Sequence, residues 1–321
     1  MRVYRSLAEV PADFGPSALT IGNFDGVHTG HRRILRRLVA LAGERGWKPS
    51  VLTFDPHPAR VVAPERAPLL LTSPARRVEL MAEEGVSQAL ILPFVPEVAH
   101  LSPERFVEEI VVNRLGARAA LVGDNFRFGY RHAGDVRALQ ELGRRFGYGV
   151  EVVAAVSWRG RIVSSSAVRE LVGAGQASLA ARLLERPYAL EGEVVGGRGM
   201  GSTLTVPTLN LGAVAETIPA SGVYATRTRD LDDGREWDSI TNIGWRPTFG
   251  ESGERTIETF LLDPLEGASP RRIRVAFPRR LRDERKFASA DELKAQILKD
   301  ARAARNYFRR VRAWVGRPLA A

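Results

Sequence analysis

Residues Ala18-Leu19-Thr20-Ile21-Gly22-Asn23-Phe24-Asp25-Gly26-Val27-His28-Thr29-Gly30-His31 decide how the first half of this chain folds. An apolar segment over 18–21 runs into a glycine-rich turn, and two histidines three residues apart follow. If the turn opens a helix, both imidazoles lie on one face of its first turn. Unpaired backbone N–H groups and the positive end of the helix dipole meet at that point. Such a turn is a site for polyphosphate. Gly22, Asn23, Phe24, Asp25 and Gly26 form its wall, and His28 and His31 sit on it.

The pattern outward from this turn alternates. Short apolar runs rich in β-branched residues lie at 18–21, 51–54, 89–92, 119–122 and 150–153. Helix-patterned stretches at 31–45, 74–84, 103–115 and 136–146 separate them. The third helix has a clear start, with Ser102 as N-cap, Pro103 at the first helical position and Glu104 in the first turn. Strands alternating with helices predict a doubly wound α/β parallel sheet. Ligands of such sheets bind at the carboxyl ends of strands, near the topological switch point. The histidine turn follows the first apolar run and stands in that place.

Near Arg186-Pro187 the character changes. Short β-type runs follow at 189–195, 222–228, 237–243, 256–262 and 272–277, punctuated by Asp232-Asp233-Gly234 and Glu251-Ser252-Gly253. This spacing predicts a small antiparallel β-barrel. A final helix starts at Ser289, with Glu292 completing a capping box. Its apolar face is Leu293, Ile297, Ala301, Ala304, Phe308, Val311 and Val315, which should pack on the barrel. The expected domains are therefore 1–186 and 187–321.

Composition narrows the function classes. The 321 residues carry a net charge of +10, nearly all of it arginine, since Lys48, Lys286, Lys294 and Lys299 are the only lysines. Such a balance suits anionic partners, either nucleic acid or phosphorylated small molecules. The chain has no cysteine, which excludes disulfides, thiolate zinc sites and cysteine nucleophiles. No apolar run reaches the roughly 18 residues of a membrane span, and the first residues do not read as a secretion signal. The cytoplasm is the expected compartment. A nucleic-acid reading would rest on charge alone and lacks the interleaved aromatics of a single-strand platform.

Three further segments bear chemistry. Thr53-Phe54-Asp55-Pro56-His57-Pro58 and Gly123-Asp124-Asn125-Phe126-Arg127-Phe128-Gly129 follow the second and fourth predicted strands, so both fall at the sheet edge of the histidine turn. Ser164-Ser165-Ser166-Ala167-Val168-Arg169 places hydroxyls ahead of an amphipathic helix, with the planar Arg169 cation behind them. Gly196-x4-Gly201-Ser202-Thr203 comes near a phosphate-binding P-loop, but Ser202 stands where the lysine is required.

Together these segments resemble the prokaryotic bifunctional riboflavin kinase/FAD synthetase family. The first-half motifs are similar to its adenylyltransferase module, with Ser166 where the family usually has Thr. The second half matches its kinase barrel in Pro207-Thr208-Leu209-Asn210, Gly222-Val223-Tyr224, Asn242-Ile243-Gly244-Trp245-Arg246-Pro247-Thr248-Phe249 and Ile257-Glu258-Thr259-Phe260-Leu261-Leu262-Asp263. Leu281-Arg282-x-Glu284-x-Lys286-Phe287 resembles its flavin-side segment.

The resemblance implies a Rossmann-like nucleotidyltransferase domain followed by a riboflavin kinase barrel with a C-terminal helix. It implies phosphorylation of riboflavin to FMN by ATP, then adenylylation of FMN to FAD with release of pyrophosphate. Small-molecule substrates are then the partners, with neither nucleic acid nor membrane among them. Glu258 would be the base of the first step. Thr208 and Asn210 would hold Mg²⁺, a hard cation suited to oxygen ligands. His28, His31 and Arg169 would stabilise charge in the second step, with Ser165, Ser166 and Asn125 at the nucleotide. Asp55, His57, Tyr224 and Arg282 would meet flavin. The run 198–206 departs from the family, with Ser202, Thr205 and Val206 replacing an arginine, a glycine and an aromatic. That leaves open an adenylyltransferase whose kinase barrel is weakened or inactive.

Overall fold

The computed structural model describes residues 1–196, 208–246 and 254–315. Two compact units divide the chain, Met1–Ser165 and Ser166–Ala321. In the first, strands β1 (Arg2–Tyr4), β2 (Ser17–Ile21), β3 (Lys48–Asp55), β4 (Gln88–Pro93), β5 (Ala117–Gly123) and β6 (Gly149–Val153) form one sheet in the order β1-β4-β3-β2-β5-β6. Every pairing is parallel. The chain winds outward one way through β2, β3 and β4, then reverses to β5 and β6. The switch point therefore lies between β2 and β5.

The reason for β2 is plain in its burial. All five of its residues are buried, as expected for a central parallel strand covered on both faces. The sequence pattern misses β1, a three-residue edge strand too short to show alternation.

Helices α1 (Thr29–Arg45), α2 (Ala59–Val62), α3 (Pro74–Glu83), α4 (Pro96–Ala99), α5 (Pro103–Arg105) and α6 (Val136–Phe146) connect these strands. Ser102 caps α5 as expected, its hydroxyl accepting from Arg105 N at 3.2 Å. Beyond that first turn the helix widens into π geometry over Phe106–Arg114, burying Phe106, Val107, Ile110 and Val111. A uniform α-helical period does not foresee that widening.

A small hairpin of β7 (Ser157–Trp158) and β8 (Arg161–Ile162) leads to α7 (Ser165–Gly173) and α8 (Ala177–Leu184). The compact units divide at Ser165/Ser166, ahead of the pattern change at Arg186-Pro187. The reason is packing: α8 lies on barrel strands, and Ser178 Oγ donates to Pro278 O at 3.1 Å.

The second unit is a closed barrel of β9 (Tyr188–Val195), β10 (Thr208–Leu211), β11 (Gly222–Asp230), β12 (Glu236–Arg246), β13 (Glu254–Leu261) and β14 (Arg272–Arg282), in the order β10-β13-β12-β11-β14-β9. All pairings are antiparallel. Inside it, the hydroxyls of Thr226, Thr228, Ser239, Thr241 and Thr259 are fully buried and bond one another at 2.8 to 3.0 Å. Each offers both a donor and an acceptor, so the chain satisfies itself without water.

Helix α9 (Ala290–Val315) closes the unit. Ser289 Oγ accepts from Glu292 N, while the Glu292 carboxylate takes the N–H of Ala288, one residue earlier than a reciprocal box requires. Ala304 and Phe308 pack on Val223, Ala225, Ile240 and Leu262. The turn at 251–253, the departing loop at 198–206, and Pro207, Pro247, Thr248 and Phe249 lie outside the described residues.

Candidate active sites

The histidine turn leaves β2 at the switch point and enters α1 directly. Its backbone is strained: Phe24 and Val27 hold φ of 49° and 39°, and Val27 is β-branched and fully buried. Non-glycine residues in that region persist where surrounding contacts over-determine them, commonly at functional sites. Those contacts are present. The Asp25 carboxylate accepts from Leu71 N and Thr72 N at 2.9 to 3.1 Å, and from the Thr72 hydroxyl at 3.3 Å. The same hydroxyl accepts from Gly26 N at 3.1 Å. Gly26 has φ of 80°, and a Cβ there would stand 2.8 Å from Leu71 Cδ1.

Asp25 is thus a fastener of the turn, with 1% of its surface exposed. Its side chain points into the protein, onto Leu71 and Thr72. Asp25→Ala leaves the Leu71 and Thr72 amides unpaired in a buried place. The expected result is a loss of about 3 kcal/mol in unfolding of this unit, read by chemical denaturation.

His28 is itself the N-cap of α1, its Nδ1 accepting from His31 N at 3.3 Å. With Nδ1 accepting, the neutral ring carries its proton on Nε2. The two imidazoles stack, their centroids 3.7 Å apart and their planes within 16°. Phe24 lies 5.0 Å from the His31 ring. Gly30 makes room for the stack, because a Cβ there would press on the His28 ring at 3.2 Å. Burial, then His28 and Arg77, hold the His31 imidazolium well below its ordinary range. At neutral pH His31 is an uncharged donor.

Other expected residues converge on this turn within the first unit. Asn23 reaches His57 Nε2 with its side-chain amide at 3.2 Å, and His57 Nδ1 accepts from Ala59 N. Thr53 Oγ1 donates to Asn23 O at 3.3 Å, joining the end of β3 to the turn. Ser165 Oγ donates to Asp25 O at 2.9 Å. Asp55 is exposed beside this group. Asn125, also exposed, follows β5; a Cβ on Gly123 would lie 3.4 Å from its Oδ1 and 4.0 Å from Ile34 on α1. Ser166 and Arg169 stand on α7, in the second unit.

In the barrel, cross-strand register aligns three polar residues. Asn210 on β10 pairs with Glu258 on β13, and Glu258 pairs with Asn242 on β12. Their flanking neighbours Leu209, Leu211, Ile243, Ile257 and Thr259 are buried, so alternation puts the polar row on the outer face. Asn242 sits in a quoted motif, but only the register reveals it as a neighbour of Glu258. A groove of about 730 Å³ adjoins this row, lined by Glu193, Thr208, Asn210, Asp232, Arg271 and Arg272 among others. Its hydroxyl, amide and carboxylate oxygens are donors of the kind Mg²⁺ takes.

Two residues expected at the flavin are engaged elsewhere. Tyr224 is fully buried, edge-on to Phe277, and its hydroxyl donates to Ala220 O at 2.6 Å. It has no surface to offer a ligand. Arg282 makes a bidentate pair with Asp300 of α9 at 2.8 to 3.1 Å, and Gln296 supports the same carboxylate. Arg282 therefore clamps β14 to the final helix.

Family models match both halves: FAD synthetase over residues 10–167 and riboflavin kinase over 184–308. A bifunctional riboflavin kinase/FMN adenylyltransferase of Pseudomonas fluorescens is 39% identical, the match covering 95% of this chain and 97% of that protein. The protein of the same description in Escherichia coli K12 is 35% identical, with 96% and 97% covered. The crystal structure of a macrolide-efflux protein from Streptococcus pneumoniae superposes with a TM-score of 0.83 at 26% identity, covering 95% of this chain and 98% of that one. Among the described residues here, no helix is long and apolar enough to cross a membrane.

Proposed function

The chain belongs to the bifunctional riboflavin kinase/FMN adenylyltransferase family, and from that membership we propose how its residues divide the two reactions. It is a transferase that phosphorylates riboflavin with ATP and then adenylylates FMN with a second ATP, yielding FAD and pyrophosphate. We assign residues 1–186 to adenylyl transfer and 187–321 to phosphorylation. The stacked histidine pair at the sheet's switch point is the observation that carries the first assignment. The Asn210–Glu258–Asn242 row beside the groove supports the second.

In adenylyl transfer the FMN phosphate is already anionic at neutral pH. It attacks the α-phosphate of ATP without a general base, so positioning and charge stabilisation dominate. His28 and the uncharged His31 donate ring N–H bonds to the phosphoryl oxygens as charge builds. Ser165, Ser166 and Arg169 surround the triphosphate, while Gly22, Asn23 and Asn125 face the nucleotide. Asp55 and His57 receive the flavin side.

In phosphorylation the riboflavin hydroxyl loses its proton as it attacks the γ-phosphate, and Glu258 takes that proton. Mg²⁺ would be held by the Thr208 hydroxyl and the Asn210 side-chain carbonyl, and there it would neutralise phosphoryl charge. Residues of a cysteine-free chain working on soluble nucleotides suit the cytoplasm.

Incubating the full chain with riboflavin, ATP and Mg²⁺, and separating the products, should yield FMN and then FAD. Asn210→Ala should raise the Mg²⁺ concentration needed for half-maximal FMN formation by roughly 10–100-fold. FAD formation from supplied FMN should keep its ordinary Mg²⁺ dependence. An unmoved Mg²⁺ requirement for FMN formation would remove Asn210 from the metal site.

A further inference from the structure

Arg77 belongs to none of the motifs, yet it lies beneath the histidine turn. It sits on α3 with 3% of its surface exposed, the one buried arginine among the described residues. Its Nη1 is 3.5 Å from both Thr53 Oγ1 and Phe54 O at the end of β3. Thr53 Oγ1 in turn reaches Asn23 O, so the contact passes into the histidine turn. Arg77 Nε is buried without a hydrogen-bond partner among the described residues. A guanidinium so enclosed persists where neighbouring charge compensates it. Asp25 and Asp55 supply that charge, one from each turn. Helix α3 thus docks twice on the site, through Leu71 and Thr72 ahead of its N-terminus and through Arg77 one turn in.

We propose that Arg77 is a positioning residue for adenylyl transfer: it ties the end of β3 to the histidine turn and supplies a fixed positive charge behind the stacked pair. The inference rests on the assignment of transfer to His28 and His31. Two imidazoliums stacked at 3.7 Å would repel, and donors that must shift before reaction lose preorganisation. The charged and titratable groups acting on His31 are His28 in its own turn and Arg77 on α3. Asp25 and Asp55 act on Arg77. Burial contributes most to keeping His31 neutral, and Arg77 adds to it in the same direction. Removing the Arg77 charge therefore lets His31 take up a proton at higher pH.

The test compares Arg77→Met, Arg77→Gln and Arg77→Lys in the full chain. In the uncharged variants kcat for FAD formation should fall on the order of 10–100-fold, with KM for ATP moving less. The acid limb of their pH–rate profile, and the NMR titration of isotope-labelled His31, should both move to higher pH. Arg77→Lys should restore the limb and the titration even where its rate stays reduced. Riboflavin phosphorylation in the same preparations should be unchanged, which checks folding. If the methionine variant fails to fold, the polar glutamine variant gives the reading. An unmoved limb and titration, or a lysine variant identical to the uncharged ones, would overturn the inference. FAD formation surviving in His31→Ala would instead overturn the assignment on which it rests.

Discussion

Replacing His31 with alanine should abolish FAD formation from FMN and ATP while FMN formation from riboflavin persists. The expected loss is at least 10²–10³-fold in kcat, the magnitude for removing a preorganised donor from a transition-state oxyanion. The ring is well suited to that role. It is stacked on His28, flanked by Phe24 and held neutral, so its donor is present before charge develops and no proton transfer is needed. Separation of FMN and FAD after incubation with either flavin provides the measurement. FAD formation within a few-fold of the unaltered chain would remove His31 from the chemistry.

The complementary result is expected of Glu258→Gln. The carboxamide keeps the shape and the cross-strand place beside Asn210 and Asn242, but it cannot accept the riboflavin proton. FMN formation should fall by roughly 10²–10⁴-fold, the range for loss of a general base. FAD formation from supplied FMN should continue at its ordinary rate. Equal loss of both activities in either variant would contradict two separate sites. An unaffected kinase step would shift the base to another carboxylate, for which Glu284 is the first candidate because it approaches Gly244, two residues beyond Asn242.

Much of the architecture was legible because burial imposes period. Four of the five apolar runs foreseen in the first half, 18–21, 51–54, 89–92 and 119–122, are buried almost throughout, in central or near-central parallel strands. The helix starts at Ser102 and Ser289 follow from side-chain oxygen chemistry alone. The strands β1 and β10 escaped notice for a different reason. Each has three or four residues, and its place is dictated by a partner strand distant in sequence.

The sites divide in the same way. Local sequence brings His28 and His31 together at the head of α1, His28 as its N-cap and His31 in its first turn. The strain at Val27 is held by the loop before α3, and the His31 charge is suppressed first by burial, then by His28, then by Arg77 on α3. Motif membership could not tell Glu258 from Tyr224 or Arg282 in accessibility. Alternation around a closed barrel turned Tyr224 inward, and a buried Asp300 on α9 claimed Arg282. Which residue types gather near a reaction is written locally, in spacing and turn chemistry. Which of them face substrate depends on burial and charge summed over distant segments, and only the packed fold decides that.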